Sequence, residues 1–475
     1  VTLVIHHPLC RSAERSYIYD VVFREWLGLD YVSLPEDRGD VAISLHSNHE
    51  QGVVFVNDSL FLMDDSAWLA AGSLPTSPLG LWQDDRGLGC DGITWPLPVL
   101  YGCPLEDGSY LHHRDSVIRL GLDIFGSAFF MLTRYEELVI QDRDEHDRFA
   151  AASSIALREG FLHRPIVDEY VEILWASMKA LWPRLERKQH KYQFFLSADV
   201  DHPSSNTYGS YRKALRRAAG DIVRGRGVRM AVDRFRTAAL NARGDYSTDP
   251  HNVFDFMMDT AEQHGTRAAF YFIAGHSGGA IDGDYTLQMP WIRQLMRRIH
   301  DRGHEIGLHP SFNTYLDKQQ LKREFDNLLS TSEALGIRQD CWGGRQHYLR
   351  WRAPDTWQHW DDVGLNYDTT VGFADHVGFR AGTCREFPVF NVETRTALKL
   401  IERPLVVMEG TLLGAQYMNE DAEQALDWIT RLADTCRRFD GNFTLLWHNS
   451  MLFTARLRAL FEDAVSIVSS GQWTG

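Results

Sequence analysis

After residue 190, three short apolar runs end directly in carboxylates or imidazoles: Phe194-Phe-Leu-Ser-Ala-Asp199-Val-Asp201, Glu305-Ile-Gly-Leu-His309 and Phe443-Thr-Leu-Leu-Trp-His448. Each is the length of a buried strand rather than of a helix. A fourth run, Ala268–Ile273, has the same character. Between them lie segments with apolar residues at three- and four-residue spacing. These are Val253–His264, then Ile292, Leu295, Met296 and Ile299 within Tyr285–Gly303, and Ala425, Ile429, Leu432 and Cys436 within Asp421–Arg438. Strands alternating with amphipathic helices restrict this part to a barrel-like α/β domain. Its chemistry is then expected just beyond the C-terminal ends of the strands.

The 475 residues are too many for one ordinary core. Val1–Ile5, Tyr31–Leu34, Val41–Leu45 and Gly52–Val56 read as strands of a smaller, preceding α/β domain, with Ile18, Val21, Val22 and Trp26 at helical spacing. A stretch rich in Gly, Pro and Asp (73–110) is followed by an apolar helix from Ile124 that ends in charge at Glu137. The last helix of this part carries Ile166, Tyr170, Leu174, Met178 and Leu181 on one stripe. Charges accumulate over Pro183–Lys191, so the domains are expected to divide into 1–189 and 190–475. In the first, Arg134, Glu136 and Glu137 are expected to form structural ion pairs, and His112, His113 and His163 to be ordinary histidines. No acid, base and ligand set converges there in sequence.

A net charge of −15 argues against a broad nucleic-acid-binding surface, which needs excess cations. Apolar runs such as Ile124–Leu132 and Pro404–Met408 fall short of the roughly 20 residues that span a bilayer. A transmembrane segment is not expected, although peripheral membrane contact is compatible with the chain. The N-terminus reads as a first strand rather than a secretory signal, and the six cysteines are scattered. Both features favour a reducing, cytoplasmic setting. One segment is electrostatically distinct: Arg212–Arg243 holds ten Arg or Lys against Asp221 and Asp233. It is either a basic flap that attracts an anionic sugar conjugate or a solvated insertion.

Asp199 and Asp201 form either a pair in which one carboxylate holds a metal while the other accepts a proton, or a turn in which Asp201 caps the next segment. His309, before Pro310, adds an imidazole suited to zinc and similar ions. His304, five residues earlier, reads as structural. His448 supplies a group that titrates near neutrality and can protonate a leaving atom.

The order Asp-x-Asp, Gly-His-Glu-Ile-Gly-x-His, Arg-x-Pro and Leu-x-His resembles the NodB-homology domain of the polysaccharide deacetylase family, the carbohydrate esterase family 4 group, over roughly residues 192–450. The resemblance implies a distorted (β/α)7-type barrel that uses zinc or another divalent metal to remove acetyl groups from N- or O-acetylated sugars. It also implies Asp199 as general base, Asp201 and His309 as metal ligands, Arg352 of Arg352-Ala-Pro354 steadying the base, and His448 as general acid. The family's second histidine ligand falls at Asn313, a poorer zinc ligand than imidazole. Either Asn313 or His347, within Gly344-Arg-Gln-His-Tyr-Leu-Arg350, is then the third donor. His347 also reads as a substrate contact or a structural residue. The segments around His309, Arg345–Arg350, Tyr367-Asp368 and Arg380 further resemble a divergent branch with an extra N-terminal domain, often associated with capsule or lipopolysaccharide assembly.

The expected partner is therefore an acetylated saccharide, such as a surface-polysaccharide precursor, or an anionic sugar conjugate. Trp342, Tyr348, Trp351 and Trp447 are candidate faces for a sugar ring. Two other readings stay open: a metal hydrolase of a different amide or ester, and a catalytically silent carbohydrate-binding homologue.

Overall fold

The computed structural model describes residues 2–46, 52–83, 90, 92–205 and 228–470. The strands are β1 (Thr2–Pro8), β2 (Asp30–Glu36), β3 (Asp40–Leu45), β4 (Val53–Asn57), β5 (Gly80–Trp82), β6 (Leu97–Val99), β7 (Leu111–Arg114) and β8 (Val117–Leu120). These are followed by β9 (Gln193–Val200), β10 (Ala268–Ile273), β11 (Glu305–His309), β12 (Gly343–Gly344), β13 (Tyr367–Asp368), β14 (Phe387–Asn391), β15 (Thr396–Glu402), β16 (Val407–Met408) and β17 (Asn442–Leu446). The first part forms a mixed six-stranded sheet, β2-β1-β3-β4-β8-β7, with β5 and β6 paired separately. The stripe Ile166, Tyr170, Leu174 and Met178 on helix Ile166–Leu181 is fully buried. At about 1.5–3 kcal/mol for each large apolar side chain removed from water, that burial holds the helix down.

The second part is a nine-stranded sheet in the order β14-β15-β13-β12-β11-β10-β9-β17-β16. All neighbours are parallel except β14, which runs antiparallel to β15. Apart from β14, the strands follow one another in cyclic chain order. Among the described residues no ladder joins β15 to β16, so hydrogen bonds do not complete the closed ring expected of a (β/α)7-type barrel. The chain here is an α/β domain with a mixed sheet. Its helices end where the sequence signals them. Pro290 opens Pro290–Asp301, whose Ile292, Leu295, Met296 and Ile299 are buried. Asp421 and Gln424 form a capping box at the start of Ala422–Arg438.

The two sheets share one continuous apolar core. Polar bonds cross between them: Tyr17 donates to the Pro388 carbonyl (2.9 Å), Trp26 to that of Glu386 (3.1 Å), and Arg385 pairs with Asp168 (2.9 Å). Arg134 pairs with Glu136 and Glu137 (both 2.8 Å), and Glu137 also takes Arg380 (2.9 Å). The charges expected to be structural thus form a buried lattice between the two parts. His112 and His113 are exposed on β7, and His163 packs against Trp428. Residues 212–227 of the basic segment lie outside the described residues, and the remainder includes helix Val228–Asn241. No helix among the described residues is long and apolar enough to cross a membrane.

Candidate metal centre

The C-terminal ends of β12, β11, β9, β17 and β16, neighbours in the sheet apart from the intervening β10, bring together residues far apart in sequence. Asp199 is the penultimate residue of β9 and Asp201 the first beyond it. Asp199 is buried, its Oδ1 accepting from Arg345 Nη1 at 2.8 Å and its Oδ2 lying 3.8 Å from His309 Nδ1. Arg345 follows the two glycines of β12, and the close approach there requires them. A Cβ on Gly344 would sit 1.8 Å from the Leu308 carbonyl oxygen, and one on Gly343 would sit 2.3 Å from the Tyr367 ring. The Arg345 guanidinium also donates to Ser197 Oγ (2.9 Å) and to the Thr369 carbonyl (3.0 Å), so it is held on three sides.

His309 ends β11, and its Nδ1 donates to the Arg345 carbonyl at 2.6 Å. His347 Nδ1 donates to Asp282 Oδ1 at 2.9 Å; Asp282 is itself held by the N–H groups of Phe312 (2.7 Å) and Gly278 (2.6 Å). These bonds set both rings so that Nε2 faces Asp201. Asp201 Oδ1 lies 3.1 Å from His309 Nε2 and 3.7 Å from His347 Nε2. The donor atoms of the three residues all lie within 4.8 Å of one another. Asp201 Oδ1 is buried, and among the described residues no donor satisfies it.

The local charge fits a cation. Asp199, Asp201, Asp282 and Glu409 surround the imidazoles, with Arg345 as the guanidinium among them. Burial would push the Asp201 carboxyl up, but the facing His309 ring 3.1 Å away, followed by His347 and His448, holds it well below the usual carboxylate range. Burial disfavours charge on His309, yet Asp199, Asp201 and the Arg345 carbonyl outweigh it and raise its pKa. A carboxylate that faces two imidazole nitrogens is an environment in which a divalent ion can take the place of the ring protons. The residues present therefore fit a metal: a buried Asp-His-His triad with Nε2 lone pairs aimed at one carboxylate, consistent with a metal-dependent hydrolase active site.

His448 lies two residues beyond β17. Its Nδ1 is 2.6 Å from Glu409 Oε1, which also accepts the His448 backbone N–H at 3.0 Å. Its Nε2 lies 3.6 Å from Asp201 Oδ2. Burial opposes the charged ring, but Glu409 first, then Asp201 and Asp199, push its pKa up to about 10.

The expected residues divide in two. Asp199, Asp201, His309, His347 and His448 come together, whereas Arg352 and Asn313 do not. Arg352 pairs with Asp355 at 3.1 Å with 42% of its side chain exposed, and Arg345 occupies the position beside Asp199. Asn313 is exposed, its amide donating to the Ser277 carbonyl (2.8 Å) and accepting from Arg350 (3.1 Å). His304 is structural, accepting from Ala268 N–H and contacting Glu262. Of the four candidate aromatic faces, Trp351 and Trp447 are buried and Trp342 partly so, while Tyr348 is 37% exposed beside His347.

Three residues of the site were not singled out for these roles in the sequence. Arg345 had a signal, since an arginine follows a glycine pair where a strand ends. Glu409 had one too, because Leu405-Val-Val-Met-Glu409 is another apolar run ending in an acid. Asp282 ends a single 3-10 turn, Gly279–Asp282, with no such mark.

Residues 3–183 match a family described as "Family of unknown function (DUF7033)", a span of less than half the chain. No curated protein matches the chain. Among solved structures, it is similar to a candidate polysaccharide deacetylase from Mycobacterium smegmatis, with 13% identity, 60% of this chain and 85% of that one covered, and a TM-score of 0.39. It is also similar to Puue allantoinase (10% identity, 57% and 82% covered, TM-score 0.36). A candidate polysaccharide deacetylase from Pseudomonas aeruginosa PAO1 is 14% identical, with 45% of this chain and 65% of that one covered and a TM-score of 0.31. These overlays are too loose to assign a function, so the assignment rests on the side chains of the centre.

Proposed function

We propose that the chain is a metal-dependent hydrolase that removes an acetyl group from an N- or O-acetylated sugar, with zinc as its ion. In this reading residues 190–475 form the catalytic domain and 1–189 an accessory domain. The observation that carries it is the buried Asp201 Oδ1, without a donor among the described residues, between the Nε2 atoms of His309 and His347, with Asp199 on one side and His448 on the other.

Asp201, His309 and His347 would hold the ion. When bound, a divalent ion in such a site polarises a carbonyl oxygen and eases deprotonation of water. Asp199 has no role in holding it and is free to act as a base. Arg345 holds that carboxylate in place, so Asp199 accepts the proton of the attacking water. His448, protonated through neutral pH by Glu409, donates from Nε2 to the departing nitrogen or oxygen of the sugar. Tyr348 offers its exposed face to the sugar ring.

The test is acetate release from a panel of N- and O-acetylated saccharides, free, nucleotide-linked and lipid-linked, with metal content measured alongside. Release that depends on added zinc and disappears with chelation is expected. A zinc-loaded protein that binds a saccharide of the panel yet releases no acetate from any member would overturn the catalytic reading.

A further inference from the structure

His347 is followed by two residues, Tyr348 and Leu349, that both have left-handed backbones, with φ of 61° and 53°. Neither is glycine, so each holds that conformation at a cost and keeps it only where its surroundings impose it. Those surroundings come largely from a distant stretch of chain. Arg148 donates from Nη1 to the Tyr348 carbonyl at 3.1 Å, and from Nη2 to the Tyr417 hydroxyl at 3.3 Å. The bond is answered from the other side, since Arg350 donates from Nε to the His146 carbonyl at 2.7 Å.

The segment that supplies these contacts is itself braced. The Asp144 carboxylate accepts the backbone N–H groups of His146 and Arg148 (both 2.9 Å) and the Arg148 Nε (2.8 Å). Tyr315 bonds Asp147, and the His146 ring packs edge-on to Tyr348 with centroids 5.0 Å apart. Two arginines thus cross between Asp144–Arg148 and Tyr348–Arg350, each taking a carbonyl of the other segment.

We propose that Asp144–Arg148, from the first 189 residues, is a clasp that holds the left-handed turn after His347 and thereby sets this imidazole as the third metal donor. Arg148 is its positioning residue, since its guanidinium bonds the Tyr348 carbonyl, the Tyr417 hydroxyl and Asp144 rather than a donor atom of the triad. The accessory part of the chain then belongs to the metal centre rather than merely adjoining it. The proposal rests on the metal reading of the triad above.

The experiment uses the full chain, stripped of metal and titrated with zinc against a chromophoric chelator, with thermal melting as a check on folding. Arg148→Met should weaken zinc binding by about tenfold, the low end of what loss of an outer-shell partner costs. Arg148→Lys, which keeps a donor for the Tyr348 carbonyl, should recover affinity to within about threefold of the parent. Tyr348→Gly relieves the strain the clasp opposes, so in that background Arg148→Met should cost less than about threefold. A parent chain that binds no zinc would overturn the metal reading and the clasp with it. A parent that binds zinc, with Arg148→Met binding equally well or losing as much in the Tyr348→Gly background as alone, would overturn the clasp and leave the metal reading intact. Should Arg148→Met fail to fold, the comparison passes to Asp144→Asn, which loosens Arg148 without removing it and is expected to weaken zinc binding in the same direction; an unchanged affinity there would overturn the clasp.

Discussion

Replacing Glu409 by Gln should move the alkaline limb of the pH–rate profile to lower pH while leaving the acid side nearly unchanged. Glu409 Oε1 lies 2.6 Å from His448 Nδ1, and its carboxylate is the largest of the influences that raise the His448 pKa, to about 10. Glutamine keeps an oxygen for the His448 N–H and ring but removes the charge. An opposite charge at this range is worth about one to three pH units of proton affinity. The sign follows from the role: a general acid works while protonated, so activity is lost as pH rises through its pKa, and lowering that pKa brings the loss earlier. If His448 fell all the way to the ordinary imidazole value of about 6.5, only about 3% would be protonated at pH 8, a rate loss of about 30-fold. At pH 6 more than about two-thirds would remain protonated, and the two proteins should differ by less than about twofold. A bound cation repels the imidazolium in both proteins, so the interval between their limbs is the quantity to measure. The assay is kcat/KM for acetate release from pH 5 to 9.5. The His448 ring-proton shifts should be followed by NMR over the same range as a reading independent of substrate. A loss equal at every pH, or a limb that stays where it was, would refute both the charge effect and the acid role.

Three further outcomes are expected. Asp199→Asn should keep its zinc while turnover falls by about 10²–10⁴, measured as acetate release with metal content alongside; full activity in the zinc-loaded variant would remove the base assignment. Asp282→Asn, which weakens the hold on His347 Nδ1, should lower zinc affinity by about 10- to 100-fold in a chelator competition, and His347→Ala should lower it further. Arg345→Met strips the buried Asp199 carboxylate of its guanidinium partner and should cost about 3–5 kcal/mol in urea unfolding at neutral pH. Arg352→Ala breaks only a half-exposed pair with Asp355 and should cost about 1 kcal/mol or less. Similar losses for the two arginines would contradict the observed pairing.

Much of this molecule is determined locally. The strand β10 occupies the whole run Ala268–Ile273, and helix Ala422–Arg438 begins at the capping box formed by Asp421 and Gln424. Burial of alternating or three-to-four-spaced apolar residues is a property of neighbours in sequence, so it can be read along the chain. The same holds for Asp199, Asp201, His309 and His448, which stand where apolar runs stop and parallel strands deliver their ends to one edge of the sheet. What the tertiary structure alone decided is which polar groups complete one another. Arg345 and Arg352 are seven positions apart and equally charged. Only the close approach of β12 to β11 and β13, allowed by Gly344 and Gly343 respectively, carries the first to Asp199 and leaves the second at the surface with Asp355. Asn313 and His347 stayed alternatives for the third donor until the chain fold tied the amide to Ser277 and Arg350 and turned the imidazole on Asp282 toward Asp201. Pairing energies between buried charges depend on distances of a few ångströms across elements up to hundreds of residues apart, and no spacing along a single chain records them.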